Sequence, residues 1–148
     1  MTGFLSPSEL RFLFRNDRGK IDRCTWWLAV GVIVVAWIVV LELQTVVNRS
    51  GDITKVAITA AFVFASIFLS VCFYFVSAKR FNDRGRPAEL ALFLPAAIFV
   101  DASVHWLGPS LVELIPGWSH YLVDGTAIAI AVWTITELGV MPGLGETP

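Results

Sequence analysis

Charged side chains are scarce in this sequence. Asp, Glu, Lys and Arg make up 16% of its 148 residues and apolar residues 56%, whereas an ordinary soluble domain carries about 25% charged residues. A water-soluble globule is thereby excluded, in line with a mean hydropathy of +0.71. Cysteine is equally sparse. Cys24 and Cys72 alone cannot form a disulfide framework, and both fall near the membrane face that carries the basic loops, a reducing side where free thiols are expected. The chain contains no C-x-x-C pair, zinc-ligand spacing, phosphate loop or G-x-S-x-G element, so none of these motifs points to a cofactor, a catalytic residue or a nucleic-acid partner. The first apolar run is not followed by a small-residue cleavage site, so it is expected to stay in place as an uncleaved anchor.

What the chain does have is long apolar runs. Residues 26–41, WWLAVGVIVVAWIVVL, hold no charge, and the run continues to Val47 past Glu42, Gln44 and Thr45. A helix needs about 20 residues to cross about 30 Å of hydrocarbon, so a span is expected over about 25–47. A second run, about 56–77, is rich in Phe and carries Ser66, Ser70 and Ser77, small hydroxyl residues that let a neighbouring helix approach. A third, about 88–106, begins behind Pro87 and contains Pro95, which predicts a kink. The fourth covers about 121–140.

The basic residues orient these spans. Arg11, Arg15, Arg18, Lys20 and Arg23 precede the first, and Lys79, Arg80, Arg84 and Arg86 lie in the loop 78–87, so nine of the eleven fall on one side. The other side has Arg49 and Lys55, and its second loop, 107–120, has neither Lys nor Arg. The positive-inside rule makes the first side cytoplasmic, together with both termini. Ahead of the first span, SPSE at 6–9 followed by LRFLFR reads as a capping box opening an interfacial amphipathic helix over about 7–16. Trp26, Trp27, Trp106, Trp118 and Tyr121 fall at predicted span ends and read as aromatic belts. A short outer helix is expected around Ser110–Ile115.

Three segments carry a family likeness: GKIDRCTWW at 19–27, KRFNDRGRP at 79–87 and ELGVMPGLG at 137–145. Together they resemble, in order and over nearly the whole chain, the bacterial inner-membrane family called domain of unknown function 805. The resemblance puts Gly19, Lys20 and Arg23 on the first motif and Arg80, Asp83, Gly85 and Arg86 on the second. It departs at Asn82, where a histidine is usual, and at Arg84, where a small polar residue is usual. It implies a polytopic inner-membrane protein and supplies no activity.

Two polar clusters stand out. On the cytoplasmic side, Asn-Asp-Arg-Gly at 82–85 favours a tight turn, with Gly85 taking positive φ and Asp83 bonding a nearby amide or arginine. The surrounding cations either set topology and close that turn, or bind anionic headgroups or a phosphorylated ligand. On the outer side, Asp101 and His105, and His120 and Asp124, are pairs spaced four apart on one helix face, with Glu42 at a similar depth. They either pair with each other or take a proton or a divalent cation.

The expected architecture is an all-α, polytopic four-transmembrane-helix bundle with an N-terminal interfacial amphipathic helix, forming one membrane domain over 1–148. The function expected is non-enzymatic binding of anionic lipid or partner proteins through the basic cytoplasmic loops, with a homo-oligomer or membrane-protein partner in view. The alternative is a small transporter or channel component using Glu42, Asp101, His105, His120 and Asp124. An enzyme acting on a lipid headgroup has the least behind it.

Overall fold

A computed structural model describes residues 12–14, 19–47, 52–111 and 118–144, without the side chains of 43–47, 52–55 and 105–111. Among the described residues all regular structure is helical. Helix α1 is Arg23–Val47 and α2 is Asp52–Asp83. A 3-10 turn, Ala88–Leu92, leads into α3, Phe93–Leu111. Helix α4, Trp118–Ile135, continues into a π-helical turn, Thr136–Val140. Among the described residues three segments are long and apolar enough to cross a membrane: Arg23–Glu42, Val56–Asp83 and Trp118–Val140. No more than 22% of any of these windows is buried within the protein, so their apolar faces are left for lipid, as in a membrane protein. The interfacial helix expected over about 7–16 and the outer helix around Ser110–Ile115 fall mostly outside the described residues.

Helix α2 runs past the expected end of its span. Its 32 residues extend about 48 Å at 1.5 Å per residue, which is well beyond a hydrocarbon core of about 30 Å. The loop expected over 78–87 is therefore only Arg84–Pro87. SAKRFND contains no helix breaker, and Arg80 in the last turn complements the negative end of the helix dipole. The stop comes at Gly85, with φ +68°. The Gly85 amide donates to the Asn82 carbonyl at 3.1 Å and the Arg86 amide to the Phe81 carbonyl at 2.9 Å, the two bonds of a Schellman cap.

Pro95, where the sequence predicts a kink, is the third residue of α3. In the first turn of α3 its missing N–H has no partner within that helix to lose, and the 3-10 turn Ala88–Leu92 lies directly before it.

The helices form two antiparallel hairpins. In the first, Trp26, Ala29 and Ile33 of α1 and Leu69, Cys72 and Val76 of α2 are buried, each set at three- and four-residue spacing. Trp26 Nε1 donates to Ser77 Oγ at 3.4 Å, and farther along Trp37 meets Phe62 edge-on at 6.5 Å. Ser77 thus admits a large neighbour, as a small hydroxyl residue should. In the second hairpin α3 packs along α4. Among the described residues the hairpins meet through the 3-10 turn, the π-turn and a short stretch of α2 beside α3. There Phe81 stacks on Trp133 at 5.8 Å and Phe93 leans on the same ring at 6.2 Å. The fold is thereby joined at one end, where the basic residues are.

Within the spans, hydroxyl groups turn back on their own helices. Ser66 donates to the Phe62 carbonyl at 2.8 Å and Thr134 to the Ile130 carbonyl at 2.8 Å, which satisfies them where no water is present.

Candidate functional site

Any helix ends with carbonyls that have no partner and with the negative pole of its dipole. At the end of α4 this need is met by side chains from α1, α2 and the turn at Arg84. Five successive carbonyls, from Glu137 to Met141, each accept such a bond. Arg84 Nη1 donates to Glu137, Arg80 Nε to Leu138 at 3.1 Å and Trp27 Nε1 to Gly139 at 2.9 Å. Arg23 Nη1 donates to Val140 at 3.1 Å and Arg80 Nη2 to Met141 at 3.0 Å. The π-turn, closed by the Met141 amide on the Thr136 carbonyl at 3.2 Å, presents these oxygens in succession.

Arg80 is at the centre, with none of its surface exposed. Its Nη1 also bonds Asp83 Oδ2 at 2.5 Å and the Ile21 carbonyl at 3.4 Å. A guanidinium carries five donors in a rigid fork and no other side chain can bridge so many acceptors. Lys79, also fully buried, turns the other way. Its Nζ donates to the Leu13 carbonyl at 2.8 Å and the Phe75 carbonyl at 3.4 Å, and lies 5.0 Å from the centre of the Phe12 ring. Adjacent residues on α2 thus hold two segments far apart in the sequence, Lys79 the stretch at Leu13 and Arg80 the strap at Leu138 and Met141.

Asp83 and Glu137 are the acidic partners within the knot. Glu137 is buried, with Oε1 3.2 Å from Arg84 Nη2 and 3.6 Å from Arg86 Nε. Asp22 precedes α1 and accepts a bond from Thr25 Oγ1. Glycines allow the close approaches. A Cβ on Gly143 would lie 1.9 Å from Asp83 Oδ2, and one on Gly139 would lie 2.6 Å from the Trp27 ring.

Of the seven residues singled out around the basic loops, Arg23, Arg80, Asp83 and Arg86 meet in the knot, and the roles of the seven differ. Gly19, with φ +113°, turns against Phe12. Gly85 caps α2 and Asp83 pairs with Arg80. Lys20, Arg23 and Arg86 are exposed. Arg80 is enclosed, its guanidinium held on protein carbonyls and on Asp83. Trp26 is a correction, since it is 1% exposed and belongs to the core and not to an interfacial belt. Trp118 and Tyr121, 63% and 79% exposed, have the exposure such a belt needs. Sequence reasoning missed Lys79, Glu137, Trp27 and Gly139 as members of the site. The signals available were the carboxylate and glycines of ELGVMPGLG.

The outer cluster is less unified. Asp101 on α3 and His120 and Asp124 on α4 are half-buried on one hairpin, while Glu42 is exposed on the other, and the His105 side chain lies outside the described residues. Among the described residues no three His, Cys, Asp or Glu side chains are placed to hold a metal ion. Cys24 is a free, exposed thiol and Cys72 a free, buried one.

The knot joins the three segments that carried the family likeness, and the family model described as Protein of unknown function (DUF805) matches residues 14–146. The chain belongs to this family. No curated protein and no solved structure matches the chain. In this DUF805 protein the three segments are parts of one interlocked end.

Proposed function

We propose that this DUF805 protein is a non-enzymatic, four-span protein of the bacterial inner membrane, with both termini cytoplasmic, that binds anionic lipid headgroups through the rim of its basic knot. The fourth crossing is supported by the path of the chain. The segment Trp118–Val140 ends at the knot and spans about 34 Å, so Trp118 begins at the far face. The chain leaves the knot at Arg86, and α3, with 19 residues and about 28 Å of length, is the segment that makes the outward journey despite Asp101. The side is supported by the charge asymmetry.

One observation carries the binding reading: Lys79 and Arg80 are turned inward, while Lys20, Arg23 and Arg86 remain exposed at the same end. Each Lys or Arg held near an anionic leaflet contributes about 1 kcal/mol, so three amount to about a hundredfold in affinity at low salt. The test is native mass spectrometry of the protein released gently from its membrane, comparing the wild type with the double variant Lys20→Gln, Arg86→Gln. Anionic phospholipid retained by the wild type and lost from the variant is the expected result. Equal retention by both would end the reading.

The half-buried Asp101, His120 and Asp124 on the second hairpin favour a second reading, a proton or cation path. Under it Asp101→Asn with Asp124→Asn abolishes flux in proteoliposomes and leaves lipid retention unchanged. Wild-type vesicles no leakier than empty ones would remove it.

A further inference from the structure

The strap after the π-turn is held by polar donors more than by burial. Leu138 is fully enclosed, but Val140, Met141 and Leu144 are 59%, 40% and 76% exposed. Residues 140–144 are fastened by Arg23 on the Val140 carbonyl, Arg80 on the Met141 carbonyl, Arg84 Nη2 on Met141 Sδ at 3.3 Å and the Leu144 amide on the Asp83 carbonyl at 3.2 Å, with Gly143 buried against Asp83 and Arg80. A segment with few buried apolar contacts opens at a small free energy compared with the whole fold. Its fixed end is the π-turn, a geometry found often at functional sites, where Leu138 is buried and Gly139 rests on Trp26 and Trp27.

Two guanidinium groups from different helices converge on the neighbouring carbonyls of Val140 and Met141. These carbonyls are neutral. A phosphate oxygen brings formal charge to the same donors, and a phosphate group can engage both arginines, which the planar guanidinium favours. Asp83 already pairs with Arg80 Nη1 and Glu137 with Arg84 and Arg86, so an anion would take Arg80 Nη2 and Arg23 Nη1, the donors that the latch carbonyls now occupy.

We propose that residues 140–144 are a latch over an anion site formed by Arg23 and Arg80, and that a phosphate group, from a lipid headgroup or free in solution, binds there by displacing the latch. This rests on the headgroup reading and adds a depth and a moving part to it. The rim cations gather the anion, and the latch decides whether it reaches Arg80.

Amide hydrogen exchange of the full chain in lipid nanodiscs tests this, read at Met141 and Leu144, whose amides bond to Thr136 and Asp83. The three conditions are a zwitterionic bilayer with chloride, the same bilayer with inorganic phosphate at equal ionic strength, and a bilayer containing phosphatidylglycerol. With anion at about ten times its dissociation constant, a ligand that binds only the open form raises exchange about tenfold. A rise with phosphatidylglycerol alone assigns the site to a lipid, and a rise with phosphate as well assigns it to phosphate groups in general. Arg23→Gln, which also releases the Val140 carbonyl, exchanges faster without anion and shows no further rise when anion is added. Gly143→Ala, whose added methyl cannot sit beside Asp83, exchanges fast without anion. If that variant does not fold, Arg23→Gln decides alone. Anionic lipid retained while exchange at Met141 and Leu144 stays constant overturns the latch and leaves rim binding intact. No anionic lipid retained and no effect of phosphate overturns both.

Discussion

Trp27 and Gly139, 112 positions apart, are in contact through a bond from the indole N–H to the glycine carbonyl at 2.9 Å. A Cβ on Gly139 would lie 2.6 Å from the Trp27 ring and 2.9 Å from that of Trp26. The first span and the closing segment are thus fitted together at a distance that only glycine permits. Gly139→Ala is expected to cost about 1–3 kcal/mol by overpacking. Gly31→Ala is the control, because nothing lies within 4 Å of its added carbon and helix propensity favours Ala by about 0.5–1 kcal/mol. Denaturant unfolding in detergent should rank Gly139→Ala below the wild type and Gly31→Ala level with it or above. Equal losses in both would refute the fit.

Arg80 gives the larger effect. Its removal strands the Leu138, Met141 and Ile21 carbonyls and the Asp83 carboxylate inside the knot. Breaking a buried charged pair on one side costs about 3–5 kcal/mol. Arg80→Lys is expected to fall nearly as far as Arg80→Met, because an ammonium cannot span acceptors arranged for a fork. Arg86, 59% exposed at its side chain, should lose under about 1 kcal/mol as Gln. An Arg80→Lys protein as stable as the wild type would show that charge alone suffices.

The contrast between these arginines marks where the sequence is informative. The apolar runs are long enough that composition and length mark all four expected spans, of which three are long and apolar enough to cross a membrane among the described residues, and Gly85 announces the end of α2 because a left-handed residue is needed there. That Arg80 faces inward and Arg86 outward is not written in RFNDRGR. It depends on α2 continuing to Asp83, which fixes the direction of each side chain, and on a strap about 60 residues later arriving with free carbonyls. The same holds for Trp26, which a span-end position marks as interfacial until Ser77 is seen to make room for it. The outer residues Glu42, Asp101, His120 and Asp124 share a depth in the sequence, but depth does not say which hairpin carries each of them.

The orientation proposed for the knot can be read at a native thiol. Cys24 is exposed at the start of α1 and Cys72 is buried on α2, so a bulky, membrane-impermeant maleimide has one target in the folded protein. Cytoplasmic termini put Cys24 beneath the membrane. Intact spheroplasts should therefore leave the protein unlabelled, inverted vesicles should give one label per chain at Cys24, and Cys72 should react only after denaturation. The counts follow from burial and side alone, since a thiol enclosed between α1 and α2 is closed to the reagent from either direction. Labelling of Cys24 from outside would place Lys20, Arg23 and Arg86 on the outer face, away from the leaflet whose anionic headgroups they are proposed to bind, and the headgroup reading would fall with the topology.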